Sequence, residues 1–274
     1  LSGWDNILKN VIEEETIFLK IKNNDDKFIY DIVLSRPNTF KHVINIMYKS
    51  NLFEYVNYVK YDNRTLLHNI IDIADHNNTY CEILKYLNEL NVNWERPKSS
   101  PALIYAINNR KINVCNYILD NIDVDVNVIS SDQYTPLIIS IFNNKKDIAI
   151  KLINKGADVN YAGPENKFVP LSLCFKTGFY DVAEEILKNE KLDYDKTDML
   201  LNMPIYYFIN SIIKFTQMNN ELKNKLTNMF EKLINNSNML ISNNAGIKIL
   251  DYINNVKNDL AMTLGDKIRD IIDN

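Results

Sequence analysis

Apolar residues recur along this chain at a fixed long step. Leu103, Leu137, Leu171 and Ile205 lie 34 residues apart, and Pro136, Pro170 and Pro204 keep the same step. A period of this length marks stacked supersecondary units. Within one unit the apolar positions fall at helical spacing. Leu137 and Ile141 are four apart and share one helix face. Thr135 and Pro136 open that helix: threonine caps it, and proline is tolerated in a first turn, where its missing N–H has no partner to lose. Ile148, Leu152 and Ile153 form the apolar stripe of a second helix. Gly156 supplies the left-handed residue that ends it. Asp158, Val159 and Asn160 then begin an extended connection. Each unit reads as helix, turn, helix and hairpin-like loop, and its apolar faces stay dry only between neighbours.

The period places the other units. One covers about 61–94, with Asp75 to Thr79 inserted between its helices. The next covers about 95–127, with Ala102 where proline would stand. A third covers about 161–195 and starts its helix at Val169, Pro170 and Leu171. Another begins at Met203, Pro204 and Ile205; its helices are longer, with the polar stretch Gln217 to Lys225 between them. The last starts at Ala245. Residues 1–60 are less regular. Trp4, Ile7, Leu8, Val11 and Ile12 keep helical spacing, as do Val43, Ile46 and Met47 after the breaker Pro37. They predict an N-terminal helical cap with room for a degenerate repeat; a separate domain of that size would have little core.

The run from Thr135 to Leu137 matches a T-P-L-H-x-A opening, and Gly156 to Asn160 matches a G-A-D-V-N close. On these residues the unit resembles an ankyrin repeat. Ile138 stands where that family has His, and Ser140 replaces its Ala. Thr65 to His68 is a second match, with Leu66 in place of Pro, and Leu250, Asp251 and Tyr252 resemble the close of a terminal repeat. The resemblance covers about residues 60–274. It implies an all-α ankyrin-repeat solenoid of stacked helix-turn-helix units with hairpin loops: an N-terminal cap over 1–60, then about six repeats over 61–274, ending in a charged capping repeat. It also implies that His68 bonds backbone between repeats. Asn160 resembles the asparagine that some hydroxylases modify in such repeats, although a hairpin hydrogen bond is the simpler role.

Composition excludes more than it selects. The formal net charge is −4 with both signs mixed, so no basic stripe argues for nucleic acid. The longest apolar run, near Pro204 to Ile213, is too short to span a bilayer. The three cysteines lack CxxC spacing and read as free thiols in a reducing compartment. Cys174 falls 34 after Ser140, in a row of small core side chains. His42, His68 and His76 are the only histidines, and none has a second ligand at metal spacing. Glu13, Glu14 and Glu15 are consecutive and face different sides of a helix. No phosphate loop or nucleophile turn is present. The sequence therefore predicts no catalytic residue, cofactor or metal. Its sixteen tyrosines lie mostly at core spacing, unlike a base-stacking platform. Asparagine and isoleucine dominate and Lys far outnumbers Arg, as in AT-rich genomes, whose ankyrin arrays are often aimed at host proteins.

The expected function is protein binding through the concave groove that such an array implies. Carried over by position, Ser100, Tyr134, Phe168 and Asn202 fall at hairpin tips, with Asp132 and Asn166 two residues before the aromatic pair. Tyr105, Ile139, Leu173 and Tyr207 fall on the groove side of the first helices, and Phe142 and Lys176 at the ends of those helices. These positions are expected to face solvent and to form an apolar strip with aromatic anchors. The partner is expected to be a protein, a host protein if the source is a pathogen. The chain is expected to be monomeric and cytoplasmic, or in host cytosol, with no membrane or nucleic-acid partner. The alternative is the substrate-targeting region of a larger enzyme whose catalytic domain lies upstream of Leu1.

Overall fold

The structure is a computed structural model, which describes residues 64–74, 78–95, 100–164, 166–212, 219–238 and 241–254, together with Lys41, Val43, Ile44, Asn45 and Tyr48. The expectations for Trp4 to Ile12, Glu13 to Glu15, Ile46, Met47, His42 and His76 lie outside these residues. The chain divides into two compact units, 1–131 and 132–274. Among the described residues there are eleven helices and no strand, only an isolated bridge between Ser242 and Lys248.

The first unit contains α1 (Leu66–Ala74), α2 (Asn78–Glu89), α3 (Ala102–Asn108) and α4 (Ile112–Asn121). α1 packs on α2 and on α3, and α3 packs on α4. His68 sits at the inter-repeat position that the TLLH motif implies. Its Nδ1 accepts the Thr65 N–H at 3.0 Å, so Nε2 carries the proton and donates it to the Ser100 carbonyl at 2.8 Å. The ring is fully buried, and these bonds satisfy both of its nitrogens.

The second unit contains α5 (Pro136–Phe142), α6 (Lys146–Asn154), α7 (Pro170–Thr177), α8 (Tyr180–Leu187), α9 (Pro204–Ile212), α10 (Asn220–Asn236) and α11 (Ile249–Asn254). The first helices form one layer, α5 on α7 on α9 on α11, and the second helices another, α6 on α8 on α10. Thr135 caps α5, its side chain accepting the Ile138 N–H, and Pro136 stands in the first turn. The row residues Leu137, Leu171 and Ile205 are all fully buried. Gly156 has φ +88°, and the Ala157 N–H folds back to the Leu152 carbonyl at 3.0 Å, closing α6 as the sequence predicts. Both ends of the Asn160 amide are used in the next loop: Nδ2 donates to the Lys191 carbonyl and Oδ1 accepts the Asp193 N–H. At the second-helix layer Asp181 pairs with Lys146 and Lys225, and Lys225 reaches Glu184 at 2.8 Å. The lysine hydrogen bonds, Lys146 first, hold the Asp181 carboxyl below its usual range.

One expectation for this unit fails. The sequence sets the polar stretch Gln217 to Lys225 between helices, yet Asn220 to Lys225 are the first turns of α10. Asn219 caps them by accepting the Leu222 N–H at 2.8 Å, and the outward face of the helix carries the polar residues.

The position three residues after each helix-opening slot shows how repeats are tied. It holds His68, Ile104, Ile138, Ser172 and Tyr206. Tyr206 does for its repeat what His68 does in the other unit: its hydroxyl donates to the Ile247 carbonyl of the next loop at 2.7 Å. Ser172 is too short for that reach, and its buried Oγ has no hydrogen-bond partner. Tyr206→Phe is therefore expected to cost about 0.5–1.5 kcal/mol in urea unfolding, whereas Ser172→Ala is expected to cost nothing or to stabilise. Leu137→Ala is expected to cost about 2–5 kcal/mol; a neutral result would break the register assigned here.

Candidate functional site

The hairpin tips of the second unit are built on a repeated backbone device. Gln133, Lys167 and Leu201, 34 residues apart, all adopt left-handed backbone, with φ +60°, +53° and +58°. Gly246 holds the same slot before α11, with φ +72°. The left-handed residue reverses the chain so that the next side chain turns back over the repeat. At the first tip that side chain is Tyr134, which meets Phe142 edge to face at 5.7 Å. At the second it is Phe168, with the Lys176 Nζ 4.2 Å above its ring. The pairs 134/142 and 168/176 are thus one arrangement repeated, a tip ring folded onto the last turn of its own first helix.

The third tip differs, because Asn202 replaces the ring. Phe168 instead meets Tyr207 of α9 edge to face at 5.4 Å. The Tyr207 hydroxyl donates to the buried Asp198 carboxylate. That carboxylate also accepts the N–H groups of Leu200 and Asn202, each at 2.8 Å. Burial first, and then the hydrogen bond to Asp198 and the charge it carries, push the Tyr207 phenol well above its usual pKa. The tips are also joined to one another. Met199 N–H donates to the Asn166 carbonyl and Asn244 N–H to the Leu200 carbonyl, each at 2.9 Å. Gly163 lies at the foot of the second hairpin beneath the Tyr134 ring, where a Cβ would sit in ordinary contact with it at 3.4 Å.

The expected residues therefore fall into four groups. Ring contacts join Tyr134 to Phe142, and separately Phe168 to Lys176 and Tyr207; Phe142 is 51% exposed. Asp132 and Asn166 are exposed at the tips beside them. Ile139 and Leu173 correct the expectation of a solvent-facing row: they are only 6% and 2% exposed. Each lies two residues after a core leucine, on a first helix packed against its neighbours in the layer. Tyr105 belongs to the other unit and serves its packing, stacked on His68 at 4.1 Å with its hydroxyl on Asp72 at 2.9 Å.

Sequence reasoning missed Met199, Leu200 and Leu201, which are 57%, 59% and 45% exposed at the third tip. The signal was present, since three consecutive large apolar residues stand where the earlier tips carry Asp132-Gln133 and Asn166-Lys167. Among the described residues no group of His, Cys, Asp or Glu is arranged to hold a metal. No helix among them is long and apolar enough to cross a membrane.

Residues 67–163 match the family model for ankyrin repeats in three copies. No curated protein matches the chain. Among solved structures, it is similar to the ankyrin repeat domain of Bcl-3, described as a unique member of the IkappaB protein family. That match has 11% identity and a TM-score of 0.64, over 87% of this chain and 97% of the other. It is also similar to one chain of the complex between the predatory endopeptidase Bd0816 from Bdellovibrio bacteriovorus and the immunity protein Bd3460. Here the identity is 16% and the TM-score 0.52, over 72% of this chain and 97% of the other. At these identities the likeness is one of fold.

A pH measurement checks the third tip. Tyr207 has its pKa raised by folding, so its contribution is fully present below the unfolded value near 10 and is lost as pH rises past it. Tyr207→Phe is expected to lower stability by about 0.5–1.5 kcal/mol at neutral pH. It is also expected to flatten the fall in stability above about pH 10, read from urea unfolding across pH.

Proposed function

Because residues 67–163 of this chain are ankyrin repeats, we propose that it is a non-enzymatic module that holds a protein partner on the hairpin-and-first-helix side of its repeats. Ankyrin repeats are protein–protein interaction modules. The observation that carries the proposal here is the placement of Phe142. Its ring is more than half exposed and is aligned by Tyr134. An aromatic ring held rigid in water adds little to folding, and rings of that kind dominate the energy of interfaces. Tyr134, Phe168, Lys176 and Tyr207 extend the surface, with Asp132 and Asn166 at its rim. Ile139 and Leu173 support it from beneath. The Asn- and Ile-rich composition supports a source with an AT-rich genome, and on that ground we place the partner among host proteins and the module in host cytosol.

Two variants test this reading by capture from a host-cell lysate. Tyr134→Ala with Phe168→Ala removes both tip rings and is expected to lose a partner that the wild type retains. It also costs some stability, because both rings are half-buried. Phe142→Ala separates the two effects: it is expected to lose the same partner while shifting unfolding by no more than about 1 kcal/mol. Equal capture by wild type and both variants would remove these rings from the interface.

A further inference from the structure

The third hairpin tip combines two features that folding does not require: a leucine in a slot whose left-handed backbone it suits poorly, and exposed apolar surface. Leu201 holds left-handed backbone at φ +58°, which strains a residue with a branched side chain. The equivalent slots hold Gln133, Lys167 and Gly246, so an apolar side chain there is particular to this tip. Met199, Leu200 and Leu201 are also all exposed, on a loop fixed from inside by the buried Asp198. Strain and exposed apolar surface at one rigid point mark a contact site.

The backbone and the charges narrow what fits it. Met199 N–H is spent on the Asn166 carbonyl, Leu200 N–H on Asp198 Oδ1, Leu201 N–H on the Asp198 carbonyl, and the Leu200 carbonyl on Asn244. With every N–H of the tip already spent, an added strand finds no main-chain donor here, so the occupant engages side chains. Contacts run without a break from Lys176 through Phe168 and Tyr207 to Asp198 and the tip. Along this line Lys167 and Lys176 are exposed, and neither pairs with a carboxylate among the described residues. Cations left unpaired beside an apolar knob favour an acidic partner surface.

We infer that the partner docks through an acidic amphipathic helix. Its apolar face covers Met199, Leu200 and Leu201, and its carboxylates pair with Lys167 and Lys176. The inference rests on the protein-binding reading and identifies the chemistry of its ligand.

The test is selection of a displayed random peptide library, each peptide about 16 residues or four turns long, on the full chain. The expected winners carry large apolar residues at i, i+3 or i+4, and i+7 with an excess of Asp and Glu. A winning peptide, followed by fluorescence anisotropy, is expected to bind Leu201→Asn about thirtyfold more weakly, the size of one hot-spot truncation. Asparagine suits the left-handed slot, so that variant keeps its fold. Lys167→Glu with Lys176→Glu is expected to reverse the charge preference of the winners. Neutral or basic winners, no winners, or affinity unchanged in Leu201→Asn would overturn the inference. So would a dimer of the chain, or its capture on phosphatidylserine vesicles, that Leu201→Asn abolishes. Peptides lost by Phe142→Ala yet kept by Leu201→Asn would leave the binding module standing and remove only this assignment.

Discussion

Burial of each first helix against the next is the interaction on which the second unit depends. α5, α7, α9 and α11 lie side by side, and Leu137, Leu171 and Ile205 are wholly excluded from water. A pair of short helices cannot achieve this alone, because each has apolar residues toward both neighbours. The 34-residue step follows from that requirement: each unit must return the chain to the same height and orientation before the next can stack. The left-handed residues at the tips and the glycine after α6 are the local devices that make the return possible.

The functional surface is a by-product of the same return. A chain that reverses at Gln133 or Lys167 must set its next side chain over the first helix, and in two successive repeats that side chain is aromatic. Such a ring is half-buried by its own repeat and half available to a partner. Folding and binding therefore share these residues instead of dividing them. Phe142 and the third tip depart from that sharing, and they carry the strongest functional argument for this reason.

Much of the fold was legible in the sequence, because it was written in steric rules that act locally. Proline in a first turn, threonine as a cap, Gly156 at a left-handed terminus and His68 in an inter-repeat bond all appear where their chemistry requires. What was not legible depends on how loops close over helices. Ile139 and Leu173 share a helix face with the expected groove, but lateral packing covers them. Asn220 to Lys225 looked like a linker because their polarity is that of a solvated helix face. Met199 to Leu201 were not singled out, because an apolar run carries no mark of exposure; theirs follows from Asp198, whose buried carboxylate gathers the loop backbone beneath them. The contribution of Tyr206 was hidden as well, since tyrosine and histidine reach the same carbonyl by different chemistry.

Cys174 lies in the row that also holds Ser140 and Phe208, fully enclosed, and burial raises its thiol far above the ordinary range. Cys115 is equally enclosed in the other unit, while Cys81 is partly open to water. An alkylating reagent can reach the two enclosed sulfurs only when a stack parts, because neither is open to solvent in the closed state. Each unit consequently carries its own internal clock. The labelling rate of Cys174 reports how often the second unit opens, and that of Cys115 reports the first.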